Sequence, residues 1–283
     1  MDLSKIYSPR PDWAHKGNYG SVLVIGGSKF YSGSATLAAV AAVRSGADLV
    51  TVAASQRAAD VASHTLCDLI TYPLKGDYLS GRHVSEVLEV AHLRRINSVV
   101  IGCGLGRHKS TLAAVRRLIS KFTVPIVADA DALLAIGQKP KVISGKHLIL
   151  TPHAGELTIL LKGVKTSIEF EQRLVQAKKA AKMYQSIILL KGHIDIITDG
   201  DIAATNNSGT SQMTKGGFGD TLAGICGALL ARGVGLFEAA HVAAYINGIA
   251  GQMAADNMGE GVAASNIFEF IPKVINAGNQ DIG

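Results

Sequence analysis

The segment from residue 213 to residue 224 reads MTKGGFGDTLAG, in which three glycines precede an acidic residue. Gly216, Gly217 and Gly219 lead into a predicted helix that starts near Asp220. Glycines let backbone N–H groups approach an anion closely, and a helix N-terminus favours negative charge. A carboxylate there repels free phosphate, but it can take a proton from a hydroxyl that attacks a phosphoryl group. The segment therefore predicts phosphoryl transfer with Asp220 as the base. The alternative is a glycine-rich turn in which Asp220 only caps the helix.

Glycine-rich or polar segments follow three other predicted strands. They are residues 25–36 (IGGSKFYSGSAT), 102–107 (GCGLGR) and 151–156 (TPHAGE). Because ligands of parallel sheets bind beyond the carboxyl ends of the strands, we expect these segments to border one crevice for phosphates and a small polar substrate. Cys103 is interpreted as a small packed residue rather than a nucleophile, since no partnered histidine is evident.

Carboxylates also follow two of the predicted strands. Asp129 and Asp131 come directly after one strand, and we expect one of them to cap the next helix and the other to face the site. Glu156 opens another predicted helix, where it either compensates the helix dipole or holds Mg²⁺ through water. The nine histidines have no zinc-ligand spacing, so a structural zinc site is not predicted.

Strands and helices must alternate to bring these segments to one edge of a sheet. Apolar runs typical of buried strands occur at residues 21–26, 48–53, 98–102, 124–128, 147–151 and 187–191, mostly with helical segments between them. This pattern predicts an α/β fold in which a mostly parallel central sheet has helices on both faces. Asp199-Gly200 between two apolar runs predicts a hairpin over 193–205, and helices are predicted for the last third of the chain.

The chain contains no low-complexity linker, charge block or internal repeat, so residues 1–283 are interpreted as a single domain. We expect about the first 17 residues and the tail after Ala277 to be loosely packed. A long amphipathic helix is predicted over 168–184. Its predicted apolar face consists of Ile168, Leu174, Val175, Ala181 and Met183.

Composition excludes several classes of protein. With 48% apolar residues and a net charge of +6, the chain is not intrinsically disordered. Three cysteines without a CxxC pair do not form a disulfide framework and favour a reducing, cytoplasmic compartment. The N-terminal residues lack the apolar core of a signal peptide, and no apolar run is long enough to span a membrane. The basic residues are scattered, so neither a nucleic acid nor a membrane is an expected partner.

In order and together, these motifs resemble the ADP/ATP-dependent NAD(P)H-hydrate dehydratases, a family with the ribokinase-like fold. The resemblance extends from about Lys16 to Val274. It rests on residues 17–20 (GNYG), 31–33 (YSG), 102–106 (GCGLG), 129–133 (DADAL), 151–156 (TPHAGE), 190–192 (LKG) and 213–224. It implies a three-layer ribokinase-like sandwich.

The resemblance also implies a reaction. Nicotinamide cofactors become hydrated at C6, and the family phosphorylates that hydroxyl with ADP or ATP, so that loss of phosphate regenerates NAD(P)H. By this match Asp220 is the catalytic base and contacts the substrate. The other substrate contacts would be Ser34, Gly104, Gly106 and His153. The nucleotide would lie along Lys191, Gly192, His193, Ile194 and Asp195 and at Gly216, Gly217 and Gly219. Mg²⁺ would accompany the nucleotide, with Glu156 holding it through water.

The sequence departs from the family pattern near the glycine-rich segment. Phe218 stands where the family usually has Thr, so a hydroxyl that could bind phosphate is replaced by an apolar ring. We therefore predict that Phe218→Thr tightens nucleotide binding. Lys215 replaces another common Thr and adds a cation that could compensate, and Ser34 stands where Ala is common. Upstream, Thr210 and Gln212 replace Asn and Gly of the family pattern.

The resemblance implies partners as well. Family members form homo-oligomers such as tetramers, and many carry an N-terminal epimerase domain. Because few residues precede the resemblance here, an epimerase is expected to be a separate chain. Two other functions stay open. One is another small-molecule kinase of the same fold, such as a hydroxyethylthiazole or sugar kinase, which would release a phosphorylated product. The other is a nucleotide-binding protein without catalysis.

Overall fold

Nine strands form one sheet between two layers of helices in the computed structural model, which describes residues 1–278. The strands are β1 (Ser21–Ile25), β2 (Leu49–Ser55), β3 (Ile70–Leu74), β4 (Ser98–Ile101), β5 (Ile126–Ala128), β6 (Leu148–Leu150), β7 (Ile187–Leu190), β8 (Asp195–Thr198) and β9 (Ala203–Asn206). The helices are α1 (Ser34–Arg44), α2 (Gln56–Thr65), α3 (Val84–Leu93), α4 (Lys109–Lys121), α5 (Asp131–Gln138), α6 (Ala154–Leu160), α7 (Phe170–Tyr184), α8 (Phe218–Ala231), α9 (Leu236–Met258) and α10 (Ile271–Ala277).

The sheet has the order β3-β2-β1-β4-β5-β6-β7-β8-β9. Strands β1 to β7 pair in parallel, and β8 and β9 add an antiparallel edge. Successive side chains of a strand enter opposite cores. In β1, Val22 and Val24 pack under α1, α2, α8, α9 and α10, whereas Leu23 and Ile25 pack under α3 to α7. This arrangement confirms the predicted mostly parallel sheet with helices on both faces.

The antiparallel hairpin is also confirmed. β8 and β9 pair from Asp195↔Asn206 to Thr198↔Ala203. Between them, the Asp199 carboxylate accepts hydrogen bonds from the N–H groups of Asp201 and Ile202, both at 2.9 Å. Gly200 has φ +108°, a backbone conformation that favours glycine.

Sequence patterns missed one βα unit and misplaced the buried face of one helix. β3 is an edge strand that is only partly buried and contains Pro73, so it lacks the continuous apolar run of an inner strand. In α7 the predicted Ile168, Val175 and Met183 are exposed. The helix begins at Phe170. Of the predicted face, Ala181 is buried and Leu174 packs against the core, and the other buried residues are Ala177, Ala180 and Tyr184.

Most of the first 17 residues are exposed, but parts of this segment are anchored more firmly than the sequence expectation. Leu3 is fully buried, and Arg10 forms an ion pair of 2.8 Å with Asp48. The Arg10 guanidinium also stacks over the ring of Tyr19 at 3.9 Å. These contacts hold the segment against the amino edge of the sheet. Beyond Gly278, the tail lies outside the described residues.

Helices α1 and α8 pack very closely through small residues. α1 contributes the alanines of its buried face, and α8 contributes Gly224, where a Cβ would overlap the carbonyl group of Ala38. At the other end of α8, a Cβ at Gly20 would contact Ala231. The two helices run in the same direction along the sheet, and their N-terminal ends lie together at the carboxyl edge of the strands.

Candidate active site

The glycine-rich segment places Asp220 inside α8, at the third position of the helix. Gly217 is the N-cap, with φ +103°, and no side chain caps the helix. A Cβ on Gly217 would lie 2.7 Å from Leu37 Cδ1 and 2.8 Å from Ala264 Cβ, so close packing also requires glycine there. The alternative in which Asp220 caps the helix is therefore wrong. Its carboxylate is available for a different role.

The Asp220 carboxylate accepts hydrogen bonds from the Ser34 hydroxyl and the Cys103 thiol. Burial and the negative charge of Asp129 raise the pKa of Asp220 to about 7, although both hydrogen bonds and the Lys191 ammonium lower it. A carboxyl with this pKa is a proton acceptor matched to neutral pH. The Cys103 thiol is fully buried, and burial raises its pKa further above the ordinary range, as expected for a residue that is not a nucleophile.

Asp129 and Lys191 form a buried ion pair beside this base. The Asp129 Oδ1 atom accepts hydrogen bonds from Lys191 Nζ at 2.8 Å and from Thr151 Oγ1 at 2.7 Å. The Lys191 ammonium lies 3.9 Å from Glu156 Oε2, and a Cβ on Gly219 would lie 3.1 Å from Nζ. Burial lowers the pKa of Lys191, but the charges of Asp129 and Glu156 raise it by more. Lys191 is therefore a cation beside the glycine-rich segment.

The two carboxylates of the Asp129-Ala130-Asp131 tripeptide have different roles. Asp129 faces the site, as described above. Asp131 Oδ2 accepts a hydrogen bond of 2.8 Å from the N–H of Gly106, and its Oδ1 lies 3.3 Å from Arg107 Nε. Neither is the N-cap of α5, because that position belongs to Ala130. The expectation that one would cap the helix is wrong.

Ala130 has the strained backbone angles φ 48° and ψ −117°. This region is sparsely populated by residues with a Cβ and costs about 1–3 kcal/mol. We predict that Ala130→Gly stabilises the protein by about 1 kcal/mol, after subtraction of the added entropy of the unfolded chain. Thermal unfolding would show a Tm higher by roughly 2–4 °C. An unchanged or lower Tm would contradict strain at this position.

Gly104 brings the segments after β1 and β4 together. It has φ +64°, and a Cβ there would lie 2.7 Å from Ser34 Cβ and 2.8 Å from Tyr31 Cβ. Ser34 opens α1, and its hydroxyl reaches Asp220. The structure thus brings the predicted substrate residues Ser34, Gly104 and Asp220 into one place, with Gly106 held nearby by Asp131.

His153 and Glu156 form a capping box at the start of α6. His153 Nδ1 accepts hydrogen bonds from the N–H groups of Gly155 and Glu156, and Glu156 Oε2 accepts one of 2.9 Å from the His153 N–H. In the neutral ring the proton is therefore on Nε2, which lies 3.5 Å from Glu156 Oε1. Burial is the largest of the effects that raise the pKa of Glu156. Through Lys191, this pair borders the same cluster.

The sequence matches a known protein family over most of its length. The family model described as NAD(P)H-hydrate dehydratase matches residues 22–273. The chain belongs to the NAD(P)H-hydrate dehydratase family. The ADP-dependent (S)-NAD(P)H-hydrate dehydratase of Cenarchaeum symbiosum is 36% identical over 277 residues, which cover 97% of this chain and 94% of that protein.

Other relatives of the family are longer. The bifunctional NAD(P)H-hydrate repair enzyme Nnr of Methanothermobacter thermautotrophicus is 40% identical over 282 residues, covering 98% of this chain and 53% of that protein. The chain thus spans about half the length of several curated relatives that it matches.

Solved structures share the fold. The ADP/ATP-dependent NAD(P)H-hydrate dehydratase from Bacillus subtilis, co-crystallised with ATP/Mg²⁺ and soaked with CoA, is 25% identical, with a TM-score of 0.78 over 95% of this chain and 94% of that one. A ribokinase-like superfamily protein from Enterococcus faecalis is 22% identical, with a TM-score of 0.80 over 98% and 94% of the two chains. These matches confirm the ribokinase-like three-layer fold.

The segment that is predicted to lie along the nucleotide, residues 191–195, connects β7 to the start of β8. The Gly192 N–H donates to Asp195 Oδ1 at 2.9 Å, and Asn206 Nδ2 donates to Asp195 Oδ2 at 3.0 Å. Burial raises the pKa of Asp195. Arg173 donates to the carbonyl oxygens of Lys191 and Ile194, both at 3.3 Å. Only the Lys191 side chain reaches the cluster around Asp129.

The remaining nucleotide candidates lie in this connection or around the start of α8. His193 and Gly216 are exposed, whereas Gly219 faces Lys191. Sequence reasoning missed Arg173 and Asn206, because an arginine in a helix and an asparagine at a strand end carry no local signal. Thr151 lies within the 151–156 segment, so it could have been considered as a hydrogen-bonding residue.

Two departures from the family pattern point away from the cluster. The Phe218 ring is 5% exposed and packs in the core shared by α1, α8 and α9. Lys215 Nζ donates to the carbonyl oxygens of Glu260 and of Val262, the latter at 3.1 Å. The interpretation of Phe218 as a ring in place of a phosphate-binding group is therefore not supported by its packing.

Among residues 1–278, no helix is both long enough and apolar enough to cross a membrane. All three cysteines are free thiols.

Two grooves lie on the surface. One, of about 520 Å³, is formed by α2 and the segment after β3. The other, of about 510 Å³, lies between α3 and the end of α4. Neither contains a predicted site residue, so the site is defined by its charged cluster.

Proposed function

We propose that this chain catalyses the ADP- or ATP-dependent dehydration of (6S)-NAD(P)H hydrate, as a carbon–oxygen lyase that repairs a damaged metabolite. The observation that carries the proposal is the convergence of a proton-accepting Asp220 with a cationic Lys191 beside the glycines that open α8. Nucleotide binding without catalysis gains nothing from a carboxylate at this point, whereas phosphoryl transfer to a hydroxyl requires a base.

The first step is phosphorylation of the C6 hydroxyl. Asp220 takes the hydroxyl proton as the oxygen attacks the terminal phosphoryl group of the nucleotide, and the bond from that phosphorus to the donor oxygen breaks. The N–H groups around Gly216, Gly217 and Gly219, together with the Lys191 ammonium, face the charge that develops on the phosphoryl oxygens. Donor ADP leaves as AMP, and donor ATP leaves as ADP.

The second step is elimination. The C6–O bond breaks with release of phosphate, a proton passes from C5 to water, and the electron pair of the C5–H bond forms the C5–C6 double bond of the dihydronicotinamide. Phosphate leaves more readily than hydroxide, which is the chemical reason for consuming a nucleotide. Ser34, Gly104, Gly106 and His153 would contact the substrate, as the family resemblance implies.

The donor set around Glu156 fits Mg²⁺. Its carboxylate is partly buried, faces Lys191 and retains oxygen lone pairs that are not used by the capping box. Hard oxygen ligands of this kind bind Mg²⁺ through its retained water molecules. We propose that Glu156 holds the ion in this way, where it would neutralise nucleotide phosphates.

Two further expectations belong to this proposal. An epimerase that interconverts the hydrate forms is the expected partner activity, consistent with the names of the longer bifunctional relatives. A homo-oligomer such as a tetramer and a cytoplasmic location stay predictions.

The test is recovery of nicotinamide absorbance from purified NADHX and NADPHX with Mg²⁺ and either ADP or ATP. We expect recovery only when a nucleotide is added, with release of stoichiometric phosphate. Consumption of nucleotide with a stable phosphorylated product would indicate another ribokinase-fold kinase. Nucleotide binding without consumption, for these and other hydroxylated substrates, would indicate a non-catalytic binder.

A further inference from the structure

Asp129 has no role in the steps proposed above, although it is the most enclosed charged side chain of the cluster. It is 2% exposed, and its Oδ1 atom accepts from both Lys191 and Thr151. Its carboxylate oxygen, an Asp220 oxygen and Cys103 Sγ all lie within 4.8 Å of one another. Two carboxylates and one ammonium therefore share a small, mostly buried volume.

This arrangement is costly for the fold. Burial of a charge is unfavourable unless it is paired and hydrogen-bonded, and two carboxylates at this separation repel each other. The backbone that orients Asp129 is strained at Ala130, the next residue. A hydrophobic pair in place of the charged side chains would avoid the cost of burying charge and the repulsion between the carboxylates.

We propose that Asp129 is a positioning residue, which holds the Lys191 ammonium beside the glycine-rich segment and keeps a negative charge next to the Asp220 carboxylate. The expected effect of Asp129 on turnover rests on the proposed function. Its expected effect on the titration of Asp220 depends only on the folded protein.

The groups facing Asp220 make the sign of the effect definite. Ser34 faces it from the start of α1, Cys103 from the segment after β4, Asp129 from the segment after β5 and Lys191 from the end of β7. Among these, Asp129 contributes the only negative charge and Lys191 the only positive one. Loss of the Asp129 charge removes this repulsion, which lowers the pKa of Asp220.

The experiment compares Asp129→Asn with the wild-type protein by carboxyl-¹³C NMR titration. The Asp220 signal is assigned by its disappearance in Asp220→Asn. We expect a midpoint at about pH 7 in the wild type, and a midpoint lower by about one pH unit or more in Asp129→Asn. The acidic limb of the kcat profile should move by the same amount, and kcat at pH 8 should fall roughly 10- to 100-fold because the ammonium is no longer held in place.

Asp131→Asn is the matched control, since it neutralises the other carboxylate of the same tripeptide, which contacts Gly106 and Arg107 instead. Whatever it does to the rate, it should leave the Asp220 midpoint unchanged. Lys191→Met provides an independent arm that keeps Asp129, and it should move the midpoint upward. If Asp129→Asn folds and its Asp220 midpoint is unshifted, the proposal is overturned. If Asp129→Asn does not fold, an unshifted Asp220 midpoint in Lys191→Met overturns the proposal. The NMR titration needs no turnover, so failure of the proposed reaction and failure of this inference are distinguishable.

Discussion

Replacement of Asp220 by Asn is expected to remove most turnover and at the same time to stabilise the protein. The amide keeps the size of the side chain but cannot accept the substrate proton, which typically costs about 10²–10⁴ in kcat. The wild-type carboxylate has a pKa of about 7 in the folded protein, against an ordinary value of 3.8. Its ionised form is therefore disfavoured by folding, and removal of the charge should stabilise the fold at pH 8 by roughly 1–4 kcal/mol.

The pH dependence of this gain is an internal control. Between about pH 4 and pH 7, folded Asp220 binds a proton that the unfolded chain releases, so the wild type loses stability as the pH rises through this window. Asp220→Asn lacks that loss, and the difference in Tm between the two proteins should disappear near pH 4. Unchanged kcat would rule out Asp220 as the base. Equal Tm values at pH 8 would contradict the buried, repelled carboxylate.

Phe218→Thr is expected to destabilise the protein by about 3 kcal/mol or more. The ring is buried in the core between the sheet and helices α1, α8 and α9, so its loss leaves a cavity and buries a hydroxyl. A decrease in Tm of roughly 6–12 °C should follow. The buried position of the ring leads to a different expectation from the one based on the sequence, according to which Thr at this position tightens nucleotide binding.

Thermal unfolding and calorimetric titration with ATP and Mg²⁺ test this prediction together. Phe30→Thr is the matched control for stability, because the Phe30 ring is 87% exposed and its loss should change Tm very little. Tighter ATP binding by a folded Phe218→Thr protein without loss of Tm would restore the interpretation from the sequence. Loss of Tm with unchanged affinity would establish that the ring belongs to the core.

Most of the fold could be predicted because buried parallel strands have continuous apolar sequences. The inner strands were found from these runs, and Asp199-Gly200 marked the hairpin. β3 was missed because an edge strand needs only partial burial. The buried face of α7 was misplaced because alanines, rather than its larger apolar residues, face the sheet.

The site could be predicted only at the level of its segments. Asp220 was predicted from the glycines that lead into a helix, whereas Ser34 and Gly104 were implied only by the family resemblance. The sequence does not indicate the direction in which each side chain of these segments points. Phe218 is in the right segment but points into the core, while Asp129 and Lys191 are 62 positions apart and meet only through the fold. The thiol of Cys103 was expected to be inert, and its hydrogen bond to Asp220 depends on a turn that no local pattern specifies.

The close contact between α1 and α8 has a consequence for how mutational data on this protein would be interpreted. Ser34 and Asp220 open neighbouring helices, and the gap between those helices is set by Ala38 and Gly224. A side chain larger than hydrogen at position 224 must push the helices apart and carry the base away from its hydroxyl partner. A saturation library scored by turnover would therefore rank Gly224 with Asp220 among the least tolerant positions. Gly224 would have this rank only because it sets the distance between the two helices.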